Sequence, residues 1–468
     1  MKHIRFFTNG LLVASVCFAL GSCSDEDFLD LEQNKTQNEQ TTHTIPMEFV
    51  GDVVGFDQQS NGVKVHTRTT TSSWTNGDKI YITFYNGSNI VPGEATYNSS
   101  SGWSVSYDGN LATGSNLKCE ARYFVNATFS SSSLVSLNSN TEIYEDLNGT
   151  YAYNNGSLTV QASLTPKTGR IRFTGSSGAK IYTTGISVYT TFAPAINQFS
   201  TSNAMITSTV ASNGSTPYIY GTFTDSDRNI GLVGSDFAYT RTCTSDMLKI
   251  GESGYMAIPS ESSHNNWRTG LYVKASGIDF KMIPVAGYSG GFFLIGETEV
   301  TEALYKTLNG TSSSSQLPAS SMSYSEVVSF VEKLNNTTKL NFSIPSSSQW
   351  KYAAKGGSKS QNYIYSGSNT PGDVAWYSAN SSYRQNVKTK APNELGIYDM
   401  SGNVGEFVIE KSGSYNYVYG GCYKSASDYI TISSNTYCYY NQWGSAGYSY
   451  HYSNSDIGAG FRLILTCQ

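Results

Sequence analysis

The side chains able to do chemistry are few. Beyond residue 23 the chain holds five cysteines: Cys119, Cys243, Cys422, Cys438 and Cys467. No two are spaced CxxC and none has a partnered histidine, so zinc is not expected. Cys422 and Cys438 are a candidate disulfide, and an odd number of thiols leaves at least one free or paired elsewhere. Of the five histidines, only His451 lies in the last third. There is no Ser-His-Asp order, no paired catalytic carboxylates and no iron-type His cluster. Catalysis is therefore not expected.

The other functional chemistry is recognition. Residues 423–456, YKSASDYITISSNTYCYYNQWGSAGYSYHYSNSD, have almost no aliphatic side chains and are rich in Tyr, Ser and Asn, with Trp443. A core segment is not built this way, and a linker would not carry so many aromatics. These are the residue types of antibody paratopes, with large amphipathic contacts at low entropic cost and adaptable hydrogen bonding.

The elements that must position this segment flank it. YGGCY (419–423) precedes it and GAGFRL (458–463) closes it. Upstream, APNELGIYDMSGNVGEF (391–407) alternates turn and carboxamide residues with single apolar anchors, Leu395, Ile397, Met400, Val404 and Phe407. It reads as a buried, hydrogen-bonded loop with several unusual backbone angles. SYSEVVSFVEKLNN (323–336) predicts a helix capped by Ser323 with Glu326 three residues on. SSSQWKYAAKGG (346–357) predicts a second, with Trp350 and Tyr352 as core anchors.

These motifs, with ETEVTEALY (297–305), occur in an order that resembles the sulfatase-modifying-factor, or formylglycine-generating-enzyme-like, family over roughly 286–468. The resemblance implies an α+β C-type-lectin-like fold. Enzymes of the family hold copper(I) on two cysteines; by spacing those positions fall at Ser425 and Ile430, so the pair is not recognisable, and a rearranged Cys422/Cys438 pair is the enzymatic alternative. The family commonly has Trp where Gly405 and Phe407 stand. Its loop can hold a structural calcium, which would use Asn403 and Glu406. The Tyr-rich segment between fixed flanks resembles the variable proteins of diversity-generating retroelements. That resemblance implies a non-enzymatic ligand display contacting protein or glycan through Tyr423, Ser425, Ser427, Asp428, Tyr429, Asn435, Tyr437, Tyr439, Tyr440, Asn441 and Trp443.

The rest of the chain sets compartment and scaffold. At 468 residues about three domains are expected at ~150 residues each. A net charge of −5 offers no basic field for nucleic acid, and 14% charged residues with 35 Tyr suit a β-rich extracellular protein. Lys2, His3 and Arg5 precede the apolar LLVASVCFAL and then LGSC, a signal peptide of 1–22. It resembles a lipobox, which implies diacylation of Cys23 and anchoring to the outer membrane; a plain secretory peptide cut near Ser22 is the alternative. SDEDFLD then resembles the export signal of surface lipoproteins, and the tether 23–45 is polar and unpatterned.

From 46 to 285 short β-type runs alternate with Gly/Ser/Asn turns, predicting sandwiches over 46–165 and 166–285. VHTRTTTSSWTNGDKIYITFY (65–85) resembles the fimbrillin family. The fold class expected is mostly β: two transthyretin-like β-sandwich domains followed by the lectin-like domain (286–468). The family resemblance implies a pilus subunit, cleavage after Arg68, and donor-strand exchange with other fimbrial subunits. An uncut chain would remain a lipid-anchored surface protein.

Overall fold

The computed structural model describes residues 42–54, 57–60, 63–66, 74–131, 134–224, 226–260, 266–289, 291–412, 415–439, 442–445, 448–452 and 459–467. As expected, the chain is mostly β. In the first domain the hydrogen-bonded order is Thr42–Val53, Ser157–Pro166, Glu142–Asn154, Gly114–Val125, Lys79–Asn86, Asn89–Asn98 and Gly102–Asp108, and the sheet closes on itself. Strict alternation drives it: Leu158, Val160, Ala162 and Leu164 point inward on one strand, against Phe84, Val105 and Tyr151 from others. The Asn154–Ser157 hairpin turns through Asn155 and Gly156, both at positive φ, the two-residue turn that matches strand twist. The first strand lies parallel to Ser157–Pro166, and Thr44 Oγ1 meets Ser106 Oγ at 2.9 Å across the closure.

In the second domain one sheet runs through Glu252–Ala257, Gly169–Thr174, Ile219–Phe223 and Ile186–Ala193. The other runs through Ile206–Thr209, Lys180–Thr184, Asn229–Val233, Ala238–Thr242 and Arg268–Thr269. Ile171, Phe173, Ile181, Ile230, Leu232 and Met256 fill the space between them. The expected boundary at 165/166 is too simple. Asp57–Ser60 pairs parallel with Glu252–Ala257, and Leu134–Ser136 pairs with Ile186–Ala193, so two pieces of the earlier range complete the second domain's sheet. Pairing across such separations leaves no local signature in the chain.

The third domain begins earlier than expected. Leu271–Ala275 and Ile278–Tyr288, assigned by sequence to the second sandwich, form one sheet with Gly291–Gly296, Ile464–Leu465 and Phe342–Ser343. Ile278–Tyr288 pairs on both sides within that sheet, so the break falls near 270 and not at 285. The helix Tyr324–Thr338 has the expected capping box, with Ser323 accepting from the Glu326 N–H, and buries Val327, Phe330 and Leu334. The helix Ser347–Ala354 starts on Ser346, with a second capping box through Gln349, and buries Trp350 completely. A third short helix, Glu302–Leu308, was not anticipated. Glu406–Ser412, Tyr415–Tyr419, Asn435–Tyr439, Gln442–Ser445 and Tyr448–Tyr452 form an antiparallel meander. Among the described residues no helix is long and apolar enough to cross a membrane.

Candidate binding surface

The loop 391–407 is buried and bonded, as its composition implies. Gly396, Asp399, Gly402 and Asn403 all have positive φ, while Ile397, Met400, Val404 and Phe407 are each at most 2% exposed. Asn393 donates to Ala353 O and Ser366 Oγ, and its Oδ1 accepts from the N–H groups of Leu395 and Ile397. One carboxamide thus replaces several backbone bonds that this irregular trace cannot make for itself.

Asn403, fully buried, is the hub. Its N–H donates to Trp376 O at 2.8 Å and its carbonyl accepts from Tyr423 N at 2.9 Å. Its side-chain Oδ1 accepts from Gln385 N at 2.9 Å, and Nδ2 donates to Gln385 O and to Glu299 Oε2. The two ends of the loop 376–385 and the start of the Tyr-rich segment therefore hang on one residue. Ser378 N donates to Ser425 O at 3.0 Å, joining them again further out.

Beneath the hub lies a buried ion pair. Arg462 Nη2 sits 2.6 Å from Glu406 Oε1, and its Nε donates to both carboxylate oxygens. Trp350 Nε1 donates to Glu406 Oε2 at 2.7 Å, and the remaining guanidinium donors reach Gly296 O and Tyr398 O. Glu299 and Asp399 complete the cluster, so three carboxylates face one guanidinium. Burial first, then the charges of Asp399 and Glu406, push the Glu299 carboxyl well above the ordinary range. Asp399 is pushed up to about 6, again first by burial. The calcium expectation placed on Asn403 and Glu406 meets this geometry: both Glu406 oxygens are taken by Arg462 and Trp350, and the Asn403 oxygens by Gln385 and Tyr423. The guanidinium supplies the positive charge. Among the described residues no three His, Cys, Asp or Glu side chains are gathered as a metal site.

The Tyr-rich segment leaves the core at Gly420 and Gly421, both at positive φ, where a Cβ on Gly421 would lie 2.6 Å from Tyr429 O. Tyr423 is buried at 5% exposure, so its assignment as a contact residue is corrected: it anchors the segment. Ser425 Oγ accepts from Cys422 N and Ser425 N donates to Cys422 O, closing a turn. Ser425 and Ser427 are half-buried, and Asp428 is exposed, as is Tyr429 at 42%, with Lys424 beside them. Ile430 is fully buried among Tyr365, Val374 and Ala375 and carries no donor atom for copper. Cys422 is a free thiol, so the candidate disulfide with Cys438 is not formed, and burial raises its pKa. The backbone strands of 435–439 and 442–445 place Cys438 opposite Asn416 and Trp443. The side chains of Asn435, Tyr437, Cys438, Tyr439 and Trp443, and the whole of Tyr440, Asn441, Cys23 and Arg68, lie outside the described residues.

Sequence reading missed Arg462 as the counter-charge, Glu299 as the hub's partner and 376–385 as a neighbour of the display segment. The Arg of GAGFRL and the Glu of ETEVT were the available signals.

Residues 270–466 match the family described as the sulfatase-modifying factor enzyme 1-like domain. The match begins where the third sheet begins. Over 87 residues the chain is 42% identical to the chaperone protein LppX of Paenibacillus barcinonensis, a stretch that is 15% of this chain and 31% of that relative's length. Among solved structures it is similar to Treponema denticola variable protein 1, at 23% identity and TM-score 0.34, covering 42% of this chain and 98% of the other. It is also similar to a fimbrial protein from Bacteroides ovatus, at 11% identity and TM-score 0.23, covering 92% and 100%. A third is the fimbrial anchor protein Mfa2 from Porphyromonas gingivalis, at 9% identity and TM-score 0.22, covering 39% and 77%.

Proposed function

We propose that this chain is a non-enzymatic cell-surface adhesin of fimbrial type, lipid-anchored through Cys23, whose C-terminal lectin-like domain displays 424–456 to a protein or glycan ligand. The observation that carries the reading is the Asn403 hub. A fully bonded, buried framework ends at Tyr423, and polar and aromatic side chains emerge directly beyond it. Rigid support under an adaptable Tyr/Ser/Asn surface is the arrangement recognition requires. Donor-strand assembly, with this chain as a tip subunit, fits the first strand. It lies parallel beside Ser157–Pro166 with only Met47 and Val53 buried, and it precedes Arg68. A cut there would release the chain from its Cys23 anchor and free the edges of Ser157–Pro166 and Glu252–Ala257 for an incoming strand, whereas the uncut chain stays lipid-anchored.

The test is adhesion of purified chain to cell-surface protein and glycan arrays, comparing wild type with a variant in which 424–429 are replaced by Gly and Ser. Loss of array binding with unchanged folding is expected; binding that survives the replacement sinks the display reading.

A further inference from the structure

Two cavities meet on the far strand of the third domain. One, of about 420 Å³, is lined by Tyr272, Phe280, Glu297, Gln316 and Asn386 among others. The second, of about 330 Å³, is lined by Thr184, Asn203, Thr224, Asn229 and Thr338 among others, from both the second and third domains. Tyr272 and Asp279 belong to both. Together they make one groove across the Leu271–Ala275/Ile278–Tyr288 hairpin, at a domain junction where ligand sites are commonly found. None of its lining residues comes from the Tyr-rich segment.

The lining indicates the ligand chemistry. Each lysine on the walls already has a carboxylate. Glu297 is shared by Lys281 at 3.0 Å and Lys388 at 2.9 Å, and Lys274 pairs with Asp227. The guanidinium of Arg268 lies over the Tyr272 ring, 4.2 Å from its centroid, which fixes the ring in place. Arg268 has no carboxylate among the described ion pairs, so the walls keep one cation, set against the Tyr272 ring, and not the cluster of cations that phosphate, sulfate or nucleic acid calls for. The walls also carry a half-buried aromatic ring, an exposed carboxylate at Asp279, and hydroxyls and carboxamides from Thr184, Thr224, Asn203, Asn386 and Gln316. Arg268 covers one face of that ring, and the opposite face is the one that would take the C–H side of a sugar. A carboxylate accepts two hydroxyl hydrogen bonds, and Thr and Asn side chains serve as either donor or acceptor.

We propose that this groove is a second binding site, for a neutral oligosaccharide that passes over Tyr272 and Asp279. It is independent of the display segment. The experiment is saturation-transfer NMR on the full chain with maltohexaose, xylohexaose and mannopentaose as probes and a heparin hexasaccharide as the charged comparison. At least one neutral chain is expected to bind and heparin is not. Tyr272→Ala and Asp279→Ala should each weaken binding about tenfold or more, while Tyr272→Phe, which keeps the ring, should bind as wild type. The variant with 424–429 replaced should bind these probes normally, which separates this site from the display reading. Absence of binding to all three neutral chains, preference for heparin, or unchanged binding in Asp279→Ala overturns the proposal. If Tyr272→Ala fails to fold, Asp279→Ala, which alters an exposed side chain, decides.

Discussion

Arg462 and Glu406 meet in the interior of the third domain, 0% and 1% exposed, with 2.6 Å between Nη2 and Oε1. They lie 56 residues apart, and the guanidinium also donates to Gly296 O and Tyr398 O. Removing one member of such a pair strands the other charge without solvent. Arg462→Met is therefore expected to destabilise the third domain by about 3–5 kcal/mol. Urea unfolding followed by tryptophan fluorescence measures it, and Trp350, bonded to Glu406, is a local reporter. A loss under about 1 kcal/mol would show that the pair is not what holds the hub.

Asp399 and Glu299 impose a pH dependence whose sign follows from their raised folded pKa values. The folded state binds those protons more tightly than the unfolded chain. For Asp399 the stabilisation is complete below its ordinary value of 3.8 and is lost as pH rises through about 6. Thermal midpoints of the third domain should fall from about pH 4 to about pH 6, and Asp399→Asn should flatten that slope. Equal slopes in the two proteins would contradict the assignment.

The first domain has a group of opposite sign. Burial alone would raise the Glu120 carboxyl, but hydrogen bonds from Asn197, Tyr85 and Arg122 outweigh it and hold it at about 2. Its contribution is present above the ordinary value of 4.5 and is lost as pH falls toward 2. Glu120→Gln is expected to lower the thermal midpoint at neutral pH, with the difference from wild type shrinking on acidification. A constant difference at every pH would be the contrary result.

Within the display segment, anchors and exposed residues should separate cleanly. Ile430→Ala leaves a cavity beside Val374 and should cost about 2–5 kcal/mol. Tyr429→Ala, at an exposed position, should stay within about 0.5 kcal/mol of wild type. Chemical denaturation of both variants checks this, and similar costs would mean that Tyr429 is a packing residue.

Proteolytic removal of residues up to Arg68 should leave the rest folded but with open strand edges. A fluorescent peptide of Thr42–Val53 is then expected to bind the cut chain, and not the intact one, in fluorescence anisotropy. Equal binding to both would exclude a strand-vacating cut.

Local signals were legible in the sequence and distant pairings were not. Ser323 with Glu326, and Ser346 before Trp350, announced their helices because capping chemistry is contained within four residues. The turn residues of 391–407 announced a bonded loop because Gly and Asn mark positive φ. The boundary near 270 was hidden, since Leu271–Val285 has the same alternation whether its neighbour lies before it or after it. Asp57–Ser60 was hidden for the same reason, its partner being almost two hundred positions away. Tyr423 was misassigned because tyrosine serves both as core and as contact, and only its burial in the fold, at 5% exposure, distinguishes the two roles.

Because Asn403 bonds to the main chain of Trp376, Gln385 and Tyr423, the path of the backbone at this end does not depend on the exposed side chains that decorate it. Substitutions at Lys424, Asp428 or Tyr429 alter what the surface presents while the scaffold registers no change. On the proposed adhesin reading, new partners could be gained in single steps, each tested on a framework that stays folded, and evolvability would then be a mechanical property of one buried asparagine.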